Sequence, residues 1–218
     1  MEQWQIGLFW TVILNWHLEA QRSFPWRHTR NPFHILTAEI LLQQTNAELA
    51  LPAYIEFIKQ FPTAADLAEA DIQDVINVIR PIGLVYRAKR LKQCALQLES
   101  RHRGRVPNSR QALLSLPGVG PYIADAVLCY GFDQPTIPID TNVIRVMSRF
   151  FNLTSKKSRP RTDPELASAI AVHYPTPVSR QENLAVLDFA ALICTARVPQ
   201  CSACQLSDMC SWYGSHGN

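Results

Sequence analysis

Leu116-Pro117-Gly118-Val119-Gly120 stands between two runs of helical periodicity, 110–116 and 121–130, and its two glycines decide how those runs are joined. Glycine permits a sharp turn and a close backbone approach, and the helix that follows such a turn points free amide N–H groups outwards. That geometry holds a phosphate without reading a base, which makes Gly118, Val119 and Gly120 candidate contacts to a nucleic-acid backbone. A lone Gly-x-Gly more often just links two helices. Here it follows a basic stretch: Arg87, Lys89, Arg90, Lys92, Arg101, Arg103, Arg105 and Arg110 are set against one acid, Glu99. Such a stretch also suits a solvated helix face; the hairpin beside it tips the balance towards nucleic acid.

Outward from the hairpin the helical pattern continues. Apolar residues recur at three- and four-residue intervals through 6–18, 33–58, 72–79, 88–98, 141–151, 164–172 and 183–193. Proline and glycine punctuate them, at 24–25, 31–32, 61–62, 81–83, 104–107 and 135–138. Strand-like alternation is scarce, so the expected fold is all-α, built from many short helices. The polar stretch 154–164, with Lys156, Lys157, Arg159 and Arg161, reads as an exposed, mobile loop. At 218 residues, 47% of them hydrophobic, the chain can bury a sizeable core in one domain or two small ones. A net charge of +3 is too mild to announce a partner by itself. No apolar run reaches the roughly 18 residues that a membrane helix needs, and the longest candidate, 33–42, is broken by Glu39.

The tail supplies the second strong signal. Cys194, Cys201, Cys204 and Cys210 follow a C-x6-C-x2-C-x5-C spacing. Four thiolates within seventeen residues can hold a metal centre and staple a segment with little apolar sequence of its own. Structural zinc usually takes two short knuckles, and only Cys201 and Cys204 form one here, so an iron–sulfur cluster is preferred. Zinc and a disulfide pair are the alternatives. The start at Met1 without a signal peptide points to a reducing cytoplasm, where disulfides are rare. Cys94 and Cys129 fall outside the set and read as buried thiols.

Leu-Pro-Gly-Val-Gly with Asp140 twenty residues on resembles the helix–hairpin–helix DNA glycosylases of the endonuclease III and MutY branch. Phe24-Pro25-Trp26-Arg27, the run Glu39-Ile40-Leu41-Leu42-Gln43-Gln44-Thr45 and Leu187-Asp188-Phe189 add to the likeness, which covers about residues 22–212. The resemblance implies a six-helix domain over 26–134 and a second lobe of 1–25 with 135–218, in which the cysteine tail holds a [4Fe–4S] cluster. It also implies a monomer that acts on double-stranded DNA containing a mismatch, in the cytoplasm at the nucleoid.

The resemblance assigns chemistry residue by residue. Breaking an N-glycosidic bond needs an acid for the departing base and a negative charge for the oxocarbenium-like sugar. Glu39 is the only charged residue between Arg30 and Glu48. Facing a pocket wall of its apolar neighbours it would be held protonated, as a general acid; on residues alone it equally suits the polar face of an amphipathic helix. Asp140 precedes the helical run 141–151, where an N-cap and an ionised carboxylate coincide. Tyr122 occupies the position from which a lysine attacks the sugar in the strand-cleaving relatives; tyrosine cannot form an imine, so hydrolysis alone is expected. Gln44 matches the residue that wedges into the duplex, with Gln43 beside it. Trp26 and Arg27 are candidates for the pocket entrance, though Trp26 equally suits the core, and Arg87 and Arg197 are candidates for phosphate contacts.

The excised base has two candidates. The G·T mismatch thymine glycosylases of the archaeal Mig type resemble the chain in Phe24–Pro32, in the segment around Glu39, in Tyr122 and in Leu187–Cys194. MutY adenine glycosylases resemble it in Gln43-Gln44-Thr45, and some share the tyrosine at 122, so that residue does not discriminate; but their Tyr-Tyr-Ser-Arg is Leu84-Val85-Tyr86-Arg87 here, and Thr141 replaces their glycine. Their additional C-terminal domain has no counterpart in the eight residues after Cys210. Thymine or uracil opposite guanine is therefore the expected target, with adenine as runner-up. A catalytically silent mismatch- or abasic-site-binding module and an iron–sulfur electron carrier are the rivals from other classes.

Overall fold

The computed structural model describes residues 3–216, and among them every regular element is helical. In chain order these are α1 (Gln3–Ala20), α2 (Pro25–His28), α3 (Pro32–Leu41), α4 (Ala47–Gln60), α5 (Ala64–Glu69), α6 (Ile72–Ile79), α7 (Tyr86–His102), α8 (Arg110–Leu114), α9 (Pro121–Phe132), α10 (Thr141–Phe151), α11 (Pro164–Ala171), α12 (Arg180–Leu192) and α13 (Ser211–His216). The all-α expectation holds. The chain divides into two compact units: Ser23–Pro138, and the segment up to Arg22 together with everything from Ile139 onward.

The central unit is organised around α3. Asn31 starts it, accepting bonds from the Phe33 and His34 amides, and Pro32 fills the first helical position. Phe33 and every residue from Ile35 to Leu41 are buried, the pattern of a helix enclosed by its neighbours rather than lying on a surface. Helix α9 packs closely on it, because a Cβ at Gly131 would come within 3.2 Å of Pro32 Cα. Helices α4 to α8 surround the rest, and side-chain caps from Asn46, Thr63, Asp71 and Ser109 start four of them. Lys92 of the basic stretch reaches back to the Ala68 and Ala70 carbonyls at the end of α5, and Arg110 pairs with Asp125 at 2.7 Å.

The second unit is made from both ends of the chain. One face of α10 is an apolar stripe of Val143, Ile144, Val146, Met147, Phe150 and Phe151. Phe9 of α1 inserts there, its ring 4.8 Å from Phe150 and 4.9 Å from Phe151. Asp188 of α12, fully buried, accepts from His17 Nε2 at 3.0 Å, Arg22 N at 3.0 Å and Arg22 Nε at 2.7 Å, which clasps the end of α1 to α12. The loop before α11 is exposed but tied down rather than loose: Asp163 accepts from Ser155 Oγ and from the amides of Lys156 and Glu165. No helix among the described residues is long and apolar enough to cross a membrane.

Candidate active site

Glu39 sits in the last turns of α3 between Ala38 and Ile40 and is only 6% exposed. A surface glutamate on a polar helix face is thereby excluded. Carboxylates are seldom enclosed unless they are paired or have a task, so its burial in a helix enclosed along nearly its whole length singles it out. Tyr122 lies half-buried in the first turn of α9.

A short turn, 42–46, comes after Glu39. Gln44 is exposed at its tip with φ 57°, a left-handed backbone unusual for glutamine, and Asn46 restarts the chain as the cap of α4. Gln43 behaves differently from the expectation of a DNA contact. Its carboxamide is turned inward, Nε2 donating to Gly118 O at 3.1 Å and Oε1 accepting from Arg90 Nη1 at 3.3 Å. Arg87, expected at a phosphate, is entirely enclosed; its guanidinium donates to Leu41 O and, at 2.6 Å, to Thr45 Oγ1. Both residues shape the turn from within.

The hairpin loop has Gly118 at φ 83°, a left-handed backbone that favours glycine, and a Cβ there would press on the Arg90 side chain at 3.1 Å. Val119 departs from its assignment: its side chain is buried and its amide donates to Leu116 O, so it secures the turn instead of offering an N–H. Gly120 caps α9 without any side chain, and Pro121 follows it. The start of α9 therefore has no side-chain cap, unlike those of α3 and α10, which Asn31 and Asp140 cap. Of the two readings of Trp26, the structure takes the core. This residue is 7% exposed, stacked on Phe24 at 4.9 Å and edge-on to Tyr54 at 5.0 Å. Half-buried Arg27 lies over the Phe24 ring at 5.5 Å. Leu84, which carried no expectation of its own, is exposed at φ 53° directly after Gly83 at φ 71°. A branched residue held left-handed at a surface is strained, and no sequence pattern announces it.

In the second unit Asp140 caps α10. Its Oδ1 accepts from the Asn142 and Val143 amides at 2.8 Å each, and its Oδ2 accepts from Asn142 Nδ2 at 2.6 Å. Asn142 Oδ1 in turn accepts from Arg145 Nη2 at 3.1 Å, and Arg145 Nε donates to Cys194 O at 2.8 Å. The carboxylate is therefore wired to the start of the cysteine segment. Burial pushes its pKa up, outweighing the bonds from Val143 and Asn142 and the nearby Arg145 charge. The helix terminus alone predicts the opposite direction; desolvation wins.

The four tail cysteines, all free thiols, line one cavity with Val146, Phe189 and Leu206. Arg149 closes its side, donating to Cys194 Sγ at 3.5 Å and to Thr195 O at 2.7 Å, with its guanidinium 4.7 Å over Trp212. Among the described residues no three His, Cys, Asp or Glu side chains gather tightly enough to ligate a single ion. Four thiols on one cavity are a donor set of the kind that both structural zinc sites and iron–sulfur clusters use. Burial first, then repulsion from the other thiolates, pushes the Cys201 and Cys204 thiols up, a cost that a bound cation removes. Arg197 is exposed three residues beyond Cys194. Cys94 and Cys129 are buried.

The chain is similar to known proteins along nearly its whole length. A thymine/uracil-DNA glycosylase of Pyrobaculum aerophilum is 38% identical over 211 residues, 94% of this chain and 91% of that protein. An adenine DNA glycosylase of Mycobacterium tuberculosis is 34% identical over 203 residues, 93% of this chain but 66% of the longer relative. The solved structure of a thermostable thymine-DNA glycosylase superposes with a TM-score of 0.88 at 34% identity, covering 97% of both chains. The model of the HhH-GPD superfamily of base excision DNA repair proteins matches residues 37–171, from the helix of Glu39 through the hairpin and Asp140 to the end of α11, and the chain belongs to that family.

Proposed function

We propose that the protein is a monofunctional DNA glycosylase that hydrolyses the N-glycosidic bond of thymine or uracil mispaired with guanine in duplex DNA. The observation that carries it is the enclosure of Glu39 within α3, where an acid is kept out of bulk water for a departing base. Asp140, in its ionised form, supplies the negative charge that steadies the sugar cation and orients the attacking water. With tyrosine at position 122 the first turn of α9 offers no amine for a Schiff base, so the strand stays intact and an abasic site is left.

Binding draws on main-chain groups. The uncapped start of α9, with Gly118 and Gly120 before it, takes a phosphate, and Arg197 a second one. Gln44, held outward on its left-handed backbone, fills the gap left by the everted nucleotide. The four cysteines hold a [4Fe–4S] cluster, which ties down the tail; hydrolysis transfers no electron and needs none from it. The enzyme works as a monomer on chromosomal DNA. Likeness to thymine and uracil glycosylases along nearly the whole of both chains favours these bases. Adenine is the second candidate, favoured by Gln43-Gln44-Thr45 and by the mycobacterial relative.

Duplexes carrying G·T, G·U, A·G or adenine opposite oxidised guanine, incubated with the protein and then with alkali, test the proposal. Breakage of the G·T or G·U strand only after alkali is expected. Breakage of the A-containing duplexes alone would transfer the assignment to adenine, and no release from any duplex would leave only a binding module.

A further inference from the structure

The turn that carries Gln44 is fastened to the phosphate-gripping hairpin by side chains that the excision chemistry does not use. Arg87 of α7 spans the turn from beneath, bonding Leu41 O at the end of α3 and Thr45 Oγ1 on the far side of Gln44. Enclosing a guanidinium among neutral acceptors is costly, so the contacts must be held firmly to persist. Arg90, nearly one helical turn further along α7, lies over the Tyr86 ring at 4.5 Å, and its aliphatic stem packs under Gly118. Its guanidinium donates to Gln43 Oε1 at 3.3 Å, while Gln43 Nε2 donates to Gly118 O at 3.1 Å. The Gln43 carboxamide thus has one end on the hairpin backbone and the other on α7. The next residue, Gln44, is the exposed left-handed tip.

We propose that Gln43, set by Arg90 against the Gly118 carbonyl, is a positioning residue that couples the hairpin's hold on the DNA backbone to the placement of the Gln44 wedge, so that gripping the strand and everting the nucleotide are one motion. The role rests on the glycosylase function proposed above. Gln43 touches neither the reacting bond nor the base, and acts through its neighbour. Its amide nitrogen and oxygen are both needed, because one bond runs to an acceptor and the other comes from a donor.

Gln43→Met keeps the length and removes both bonds; Gln43→Glu keeps the acceptor for Arg90 but sets a carboxylate against the Gly118 carbonyl. Two measurements test the brace. In the DNA-free protein, hydrogen exchange of amides in 43–46 and 118–120 should rise about tenfold in Gln43→Met, roughly what the loss of one or two neutral hydrogen bonds allows. With a G·U duplex carrying 2-aminopurine beside the uracil, the eversion signal and the single-turnover excision rate should fall about tenfold while the duplex Kd moves less than about twofold. Gln43→Glu should share the kinetic loss. Unchanged exchange at both segments in Gln43→Met, or a loss of rate explained wholly by weaker duplex binding, would overturn the brace. A wild-type protein that excises nothing from any duplex overturns the glycosylase function and the wedge role with it. Normal wild-type excision with an unimpaired Gln43→Met overturns the coupling alone.

Discussion

Asp140 shows how a single residue can carry a structural and a chemical duty at once. Its hydrogen bonds start α10, and burial moves its pKa above the usual carboxylate range. The chemistry proposed here needs the ionised form, which is complete above the raised pKa and disappears as pH falls through it. The acid limb of the excision rate should therefore lie above the pH at which an ordinary aspartate titrates; a limb at or below that pH would contradict the burial argument. The folded protein also binds this proton more tightly than the unfolded chain. The associated stability is present at low pH and lost as pH rises from the unfolded to the folded pKa. Asp140→Asn preserves the cap and should lower the single-turnover rate roughly a hundred- to ten-thousand-fold with duplex affinity retained, read by filter binding beside excision. Tyr122→Lys places an amine at the start of α9; borohydride should then trap a covalent protein–DNA adduct that the wild type never gives. At this scale the sequence was legible where local pattern fixes a residue's place: Asp140 was expected to cap the helix after it and does, and the four tail cysteines line one cavity. It was illegible where burial decides: Trp26 suited the core and a pocket entrance equally, and Arg87 looks like a surface cation until the enclosing helices are in place.

The elements repeat that lesson. Apolar periodicity runs through 33–58 as if one helix filled it, yet the chain breaks at 42–46 into α3 and α4. The break is local chemistry: Gln43-Gln44-Thr45 lacks apolar anchors, Gln44 turns left-handed, and Asn46 caps α4. Helices α2, α5 and α13 span four to six residues each, too short for periodicity to reveal; their caps and neighbours make them. The glycine hairpin, by contrast, was readable outright, since few residues tolerate the backbone found at 118. Gly118→Ala should cost about 1–2 kcal/mol from the left-handed backbone alone, with a further penalty as the added methyl presses on Arg90. Urea unfolding measures that loss. Binding to undamaged duplex should weaken in parallel, because the deformed turn re-aims the first amides of α9.

At the scale of the whole molecule the cysteine tail matters most for integrity. Arg145 and Arg149 hold the carbonyls of Ala190, Cys194, Thr195 and Ala196, so one helix of the unit anchors the start of the segment that carries the four cysteines. Cys201→Ser should abolish the visible iron–sulfur absorption, lower the Tm and reduce recovery of soluble protein. A purified variant with the same spectrum as the wild type would sink the cluster assignment. The clasp of Asp188 on His17 and Arg22 was not foreseeable from spacing, since its partners lie more than 160 positions apart.

That separation has a consequence for synthesis. Helix α1 leaves the ribosome early with Phe9, Trp10 and Ile13 bare, and the helices that cover them, α10 and α12, are translated only after the whole central unit. Residues 23–138 can collapse on their own while the first helix waits for its far-off companions. Termination after the central unit but before α12 would leave a sticky amphipathic segment dangling from a body already formed, a natural mark for chaperones and proteases.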